Sequence, residues 1–319
     1  GIIVPSGIAT DYYNQDYFRT IVEEQELVSL YDFENRRKLF PEVDSRMKFS
    51  LLTLAGNKEP EADYAFFLHT TDDLADPERR FGLSREEVAL MNPNTGTVPI
   101  FRTRRDAELT EKLYRAAPVL TNEELEDNPW CVSFKQGLFN MTSDSYLFHT
   151  REELEAQGFV LHGNRYASAD DVYLPLYEAK MLHQFDHRFA TYEDSECIRH
   201  LTELEHSEPE MLPQSRYWVA EQALAGKLQQ SAGFVAFRRV ARVTDERTGI
   251  FCFLAPQGAG DSVFILLTPV SSAQQSVLLG NLNSLVFDFV VRQKVGGINF
   301  SFFIAEQLPV LPPDRYTSG

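Results

Sequence analysis

The sequence predicts a partial α/β sheet followed by an α+β domain. Three observations carry that prediction. Within the first 70 residues, apolar strand-like runs at 1–5, 27–33, 47–55 and 64–69 surround a helical repeat of Tyr17, Phe18, Ile21 and Val22. Beyond residue 110, short strands alternate with polar turns. The chain then closes on a wide apolar helix, with Leu278, Leu282, Leu285 and Phe289 recurring at steps of three and four.

Taken in order, residues 1–5 read as a buried strand and Asp11 as the cap of the first helix. The run at 47–55 is nearly continuous in apolar residues, which suits a sheet covered on both faces. Residues 71–80 are polar and turn-rich. Ser84 with Glu87 forms a capping box, and Asn92-Pro93 ends that short helix. Residues 106–116 read as a helix. Residues 193–210 are acidic and poor in apolar side chains, which predicts an exposed or mobile loop. Arg216-Tyr-Trp-Val opens a helical stretch to Gln230, and strands follow at 233–243, 250–254 and 263–267. Ser272 with Gln275 caps a closing helix that runs to Lys294. Gly296-Gly297 breaks it, and alternation from Ile298 to Ile304 predicts a last strand before a proline-rich exit.

Composition bounds the function. The chain has 319 residues, 43% of them hydrophobic, enough for one large or two ordinary cores. Cys131, Cys197 and Cys252 form no spaced pair and no zinc pattern, which points to a reducing compartment and a cytoplasmic protein. No apolar run approaches the length of a membrane span. The net charge of −17 argues against a nucleic-acid binder unless its cations are grouped on one face. The chain opens on Gly-Ile-Ile-Val-Pro without an initiator Met, as a piece cut from something longer would. In that case the sheet edge near Gly1 is expected to lie exposed.

Four short motifs add to this reading: Gly-Ile-Ile-Val-Pro-Ser-Gly at 1–7, Phe33-Glu34-Asn35, Leu39-Phe40-Pro41 and Lys48-Phe49-Ser50. They resemble the late motifs of adenine-specific N6 DNA methyltransferases. The resemblance is strongest to single-chain type II restriction-modification enzymes and related phage-defence methylases. It continues through Asn92-Pro-Asn-Thr-Gly-Thr-Val-Pro-Ile-Phe-Arg, Pro175-Leu-Tyr-Glu-Ala-Lys, Phe185-Asp-His-Arg and residues 288–313. It implies that residues 1–70 are the C-terminal portion of a Rossmann-like methyltransferase domain. Residues 71–110 are then a linker with a short helix, and residues 111–319 a DNA target-recognition domain. It also implies S-adenosylmethionine as cofactor of the parent protein, bound outside this fragment. The partners it implies are double-stranded DNA and an upstream methyltransferase portion of the same chain, with or without a nuclease. The fragment is expected to be inactive alone and to hold no catalytic residue. Asn128-Pro129-Trp130 lacks the second proline of the family's catalytic motif and reads as a turn with a core Trp.

The resemblance places Phe40 against the flipped adenine, where a base taken out of its stack needs an aromatic wall. The candidate DNA contacts are basic residues on strand ends and turns: Arg102, Arg104, Arg105, Lys180, His183, Arg188, Arg238, Arg242, Arg247, Arg292 and Lys294. Arg238, Arg242, Lys180 and Arg188 are expected to share the face that exposes the Phe40 loop. The alternative for each is a solvated surface or an internal ion pair. His183 and His187 have the spacing of metal ligands on a helix, without a third ligand. Two other classes stay open. One is a metal-dependent nuclease using Asp171, Glu178 and Lys180. The other is an acidic protein-interaction module, for which the net charge is the motive.

Overall fold

The computed structural model describes residues 1–228 and 233–316. It is a mixed α/β protein with several sheets, divided into two compact units. The first unit comprises Gly1–Pro129, Phe289–Gly296 and Phe303–Gly319, and the second Trp130–Asp288 and Gly297–Phe302. Residues 71–110, expected as a linker, therefore belong to the body of the first unit, and the end of the chain returns to it.

In the first unit the elements are β1 (Ile2–Pro5), α1 (Gln15–Glu23), β2 (Leu27–Glu34), β3 (Lys48–Leu54), β4 (Glu61–Leu68), β5 (Phe81–Ser84), α2 (Arg85–Met91) and α3 (Arg104–Ala116). The five strands form one sheet in the order β1-β3-β2-β4-β5, with β2 and β4 parallel and the other pairs antiparallel. Helix α1 buries Phe18, Ile21 and Val22, while Tyr17 is exposed; Asn14, not Asp11, stands at its cap. The Ser84–Glu87 capping box forms as the spacing predicts, and Thr103 with Asp106 makes a second one at α3.

Strand β1 is not buried. Ile2 is 61% exposed and Ile3 55%. Adjacent residues in a strand point to opposite faces, so β1 is uncovered on both. It pairs with β3 alone and forms one edge of the sheet. Strand β3 is fully covered on one face only, with Ser50 and Leu52 buried and Phe49, Leu51 and Thr53 half-buried.

The second unit opens with β6 (Ser133–Lys135), α4 (Arg151–Ala156), β7 (Val160–His162), β8 (Arg165–Ala167) and β9 (Val172–Tyr177). It continues through β10 (Ala190–Tyr192), β11 (Ile198–His200), α5 (Glu203–Ser207) and β12 (Trp218–Ala220). Strands β13 (Phe234–Arg238), β14 (Phe251–Leu254), β15 (Gly258–Ala259) and β16 (Val263–Leu267) lead into α6 (Ser272–Leu282). Two larger sheets run β12-β9-β8-β7 and β14-β13-β16-β6; β15 pairs with β9, and β10 and β11 form a separate hairpin. Phe237 sits among Phe251, Phe264 and Phe300, with ring centroids 5.0–5.5 Å away. Helix α7 (Leu285–Lys294) starts in this unit and ends in the first, as does α8 (Phe302–Glu306).

Four sequence expectations fail here, each for a local reason. The closing helix is two helices. The Asn283 side chain bonds both backbone groups of Phe251, which stops α6. Ser284 Oγ then accepts from Phe287 N at the start of α7. The capping box of α6 is Ser271 with Gln274, one residue earlier than predicted. The stretch after Arg216 is a strand: Trp218 and Val219 are both buried, and Trp218 Nε1 donates to Asn164 O at 2.8 Å. A short 3₁₀ turn, Glu221–Leu224, follows; Gln230 lies outside the described residues. The strand at Ile298–Ile304 shrinks to one bridge between Val240 and Asn299, after which α8 begins. The acidic segment 193–210 is largely exposed, as expected, but it carries β11 and α5 rather than a plain loop. Arg199 bonds Glu193 at 2.7 Å and forks onto Glu205 at 2.6 and 2.7 Å, which drops the Glu205 pKa to about 2.

Candidate nucleic-acid interface

Where β2 ends, the buried side chain of Asn35 organises the next ten residues. Its Nδ2 donates to Phe40 O at 2.9 Å, Val43 O at 3.0 Å and Asp44 O at 3.3 Å, and its Oδ1 accepts from Phe40 N at 2.9 Å. Lys38, with φ +57°, turns the chain and donates to Val43 O at 2.9 Å. Asn and Asp pin turns in this way because their short side chains imitate a backbone group. The loop thus holds Phe40 fixed and 39% exposed, edge-on to Phe49 with ring centroids 4.9 Å apart. Phe49 in turn stacks on Phe33 at 5.4 Å.

The opposite face of the same strand pair is polar. The register sets Asp32 beside Ser50 and Glu34 beside Lys48. Ser50 Oγ donates to Asp32 at 2.8 Å; burial raises the Asp32 pKa, and the serine bond works against that. Burial also works against the charge of Glu34. Lys48 at 3.2 Å and then Arg36 outweigh it and hold the carboxyl below its ordinary value. His69 Nε2 lies 3.4 Å from the same carboxylate.

Next in the sheet, β4 departs from regular pairing with β2, and Phe67 takes φ +59°. Bulges of this kind re-aim a side chain. The Phe67 ring here meets Arg102 at 4.1 Å and Lys48 at 5.5 Å. Cations and aromatic rings therefore gather at the end of β2 and β4, and Arg102 is the predicted contact that joins them. Arg104 and Arg105 are exposed in the first turn of α3, with Arg104 Nε donating to Arg80 O.

Several predicted DNA contacts are already engaged inside the protein. Lys294 gives its three protons to Met91 O, Asn92 Oδ1 and Gln307 O, over the ring of Tyr114 at 4.8 Å. Burial pushes its pKa well down. Arg188 donates to His206 O, Glu208 O and Met211 O. Arg238 donates twice to Leu182 O and lies over Phe189. Arg247 faces Asp288, whose other oxygen accepts from Thr248 N and Gly249 N at 2.8 Å. Arg292 is half-buried on α7. Lys180 is exposed but paired with Glu178 at 3.6 Å and with the Tyr192 ring at 4.9 Å. Arg242 projects into solvent. The expected basic face of Arg238, Arg242, Lys180 and Arg188 thus loses Arg188 and Arg238 to carbonyl oxygens.

His183 and His187 do not lie on a helix. His183 and Asp186 bridge across a tight turn, and His183 packs on Phe189 with ring centroids 4.5 Å apart. Among the described residues no three His, Cys, Asp or Glu side chains converge as metal ligands. Asp171 and Glu178 stand at opposite ends of β9, about 20 Å apart at the strand rise per residue, so the nuclease triplet does not assemble.

No protein family and no curated protein matches the sequence. Among solved structures, the chain is similar to the type IIG restriction endonuclease BpuSI, at 13% sequence identity and a TM-score of 0.34. The match covers 97% of this chain and 39% of that one, so the chain spans about two fifths of that enzyme's length. No described helix is long and apolar enough to cross a membrane.

Sequence reasoning named Phe40 but missed what holds it. Asn35 was visible as an Asn directly after an apolar strand, the usual opening of a side-chain-pinned turn. Phe67 carried no signal, because a bulge in a parallel pair leaves no mark on alternation.

Proposed function

We propose that this chain is the DNA-recognition part of a site-specific adenine-N6 DNA methyltransferase of the restriction-modification or phage-defence kind. Its partner is double-stranded DNA, and the preceding part of the same protein supplies S-adenosylmethionine and the catalytic motif. The observation that carries this reading is the Phe40 loop. An exposed aromatic ring held by four bonds from one buried Asn is a wall prepared before its ligand arrives. A flipped base needs such a wall to offset lost stacking. Glu34, Lys48, His69 and Arg102 then border the same sheet end, where cations can hold the phosphates beside the extruded nucleotide. On this reading the methyl-donor site lies outside these residues. The turn from β5 into α2 is closed by the Ser84–Glu87 box and has no glycine to let a ligand approach the backbone.

The test uses the full-length protein. Methyl transfer from labelled S-adenosylmethionine to bacterial DNA should yield N6-methyladenine, identified by mass spectrometry of the nucleosides. Phe40→Ala should slow transfer at least tenfold with cofactor affinity unchanged. A full-length protein that makes no N6-methyladenine, or a Phe40→Ala variant with the parent's rate, would overturn the proposal.

A further inference from the structure

The turn at residues 183–186 carries a feature that its packing does not require. His183 N donates to Asp186 O at 2.7 Å, and Asp186 N donates back to His183 O at 3.0 Å. This closes a two-residue turn with Gln184 and Phe185 at its tip. Phe185 has φ +61°. Its place, third in a four-residue turn with φ above zero, normally belongs to Gly or Asn, because a side chain there crowds its own backbone. A strained residue persists only where its surroundings over-determine it. That holds here: Phe185 N donates to Phe251 O at 3.0 Å, and Gln184 Nε2 reaches Gly249 O at 3.2 Å and Asn283 O at 3.4 Å. The ring itself is 59% exposed, so the strain does not serve the core.

The turn stands on a stiff base. Phe189 is packed by His183 at 4.5 Å and His200 at 4.2 Å, with Arg238 over its ring at 5.5 Å. The neighbouring charges are mixed, Asp186 against Arg238, which suits a flat neutral partner better than a phosphate.

We infer that Phe185 is a stacking or wedge residue that meets DNA bases in the second unit, distinct from the Phe40 wall in the first. The inference rests on the proposed DNA-binding function. Proteins that deform or unstack DNA use single rigid apolar side chains in this way, and the contact depends little on sequence because every base has a ring face.

The experiment uses the full-length protein and a mixed-sequence 30-base-pair duplex. Phe185→Trp is the reporter, read as the difference from the parent protein, in which Trp130 and Trp218 are each 1% exposed. Its fluorescence should be quenched on DNA addition. Phe185→Ala should weaken binding roughly tenfold or more, with the salt dependence unchanged because no phosphate contact is lost. Phe185→Gly should weaken binding equally while raising the melting temperature, because glycine is relaxed at this φ. That pairing separates lost contact from lost fold. Wild-type affinity in both the Ala and Gly variants would overturn the inference and leave the proposed function standing. A wild-type protein that does not bind the duplex would overturn the proposed function, and the inference with it.

Discussion

Lys294 and Arg105 are both basic residues at helix ends, and they are opposites. Lys294 closes α7 with its ammonium enclosed by three oxygens and a tyrosine ring. Arg105 opens α3 in solvent, in the first turn, where the helix dipole disfavours a cation. One contributes to the fold, and the other costs it a little. A cation whose position helps the fold needs no ligand to explain it, whereas one set where it hurts slightly is a candidate for a partner. Sequence shows both as the same kind of letter.

The comparison breaks first at Lys294. Replacing it with Met takes the lysine donor from Met91 O and Asn92 Oδ1 and leaves Gln307 O with the Tyr114 hydroxyl alone. Lys294→Met should lower stability by about 3 kcal/mol or more, read from chemical denaturation. A loss under about 0.5 kcal/mol would mean the cage is ornamental and Lys294 is available to a ligand. Arg188 should come next. Arg188→Ala should cost about 1–3 kcal/mol and make residues 206–211 newly sensitive to protease, since three carbonyls there lose the guanidinium and only Glu208 O keeps another donor, Met211 N. Unchanged proteolysis would return Arg188 to the DNA-binding set.

Glu34 sharpens the comparison between these extremes, because its cations sit at the surface but answer to a protein carboxylate. Its folded pKa is lowered, so its stabilisation is present above the unfolded value of about 4.5 and is lost as pH falls through the folded value. Glu34→Gln should therefore be less stable than the parent at pH 7, with the gap closing in acid. A gap that stays constant with pH would show that Lys48 and Arg36 do not use the charge. The smallest effect belongs to the free cations. Arg105→Ala and Arg242→Ala should each change stability by less than about 0.5 kcal/mol. In the full-length protein each should weaken DNA binding and lower the salt slope by about one if it touches phosphate.

Much of the first unit could be read from its letters. The strands at 27–33 and 64–69, the helix stripe of Phe18, Ile21 and Val22, and the Ser84 cap all follow from periodicity and capping chemistry. The second unit yielded less, because there tertiary partners overrule local pattern. Asn283 breaks an apolar repeat that continues on both sides of it, for the sake of a backbone 32 residues away. Trp218 lies in a segment that scans as helix and pairs as strand. For the candidate site, residue type nominated Phe40 and Arg102. It could not separate Arg188 and Arg238 from Arg242, since the difference lies in which carbonyls happen to be near.

The first unit is interrupted by the second along the chain, and this bears on how the protein is made. Lys294 and Gln307 close a site whose other walls, Met91 and Asn92, leave the ribosome some 200 residues earlier. At roughly 5–20 residues per second, that is an interval of about 10 to 40 seconds. Through that time the sheet of the first unit is without its clasp, and the second unit also lacks its last piece, Gly297–Phe302, which brings Phe300 to Phe237. A stop codon placed just after residue 288 would leave such a waiting state as the final product, and a chaperone would be its natural company.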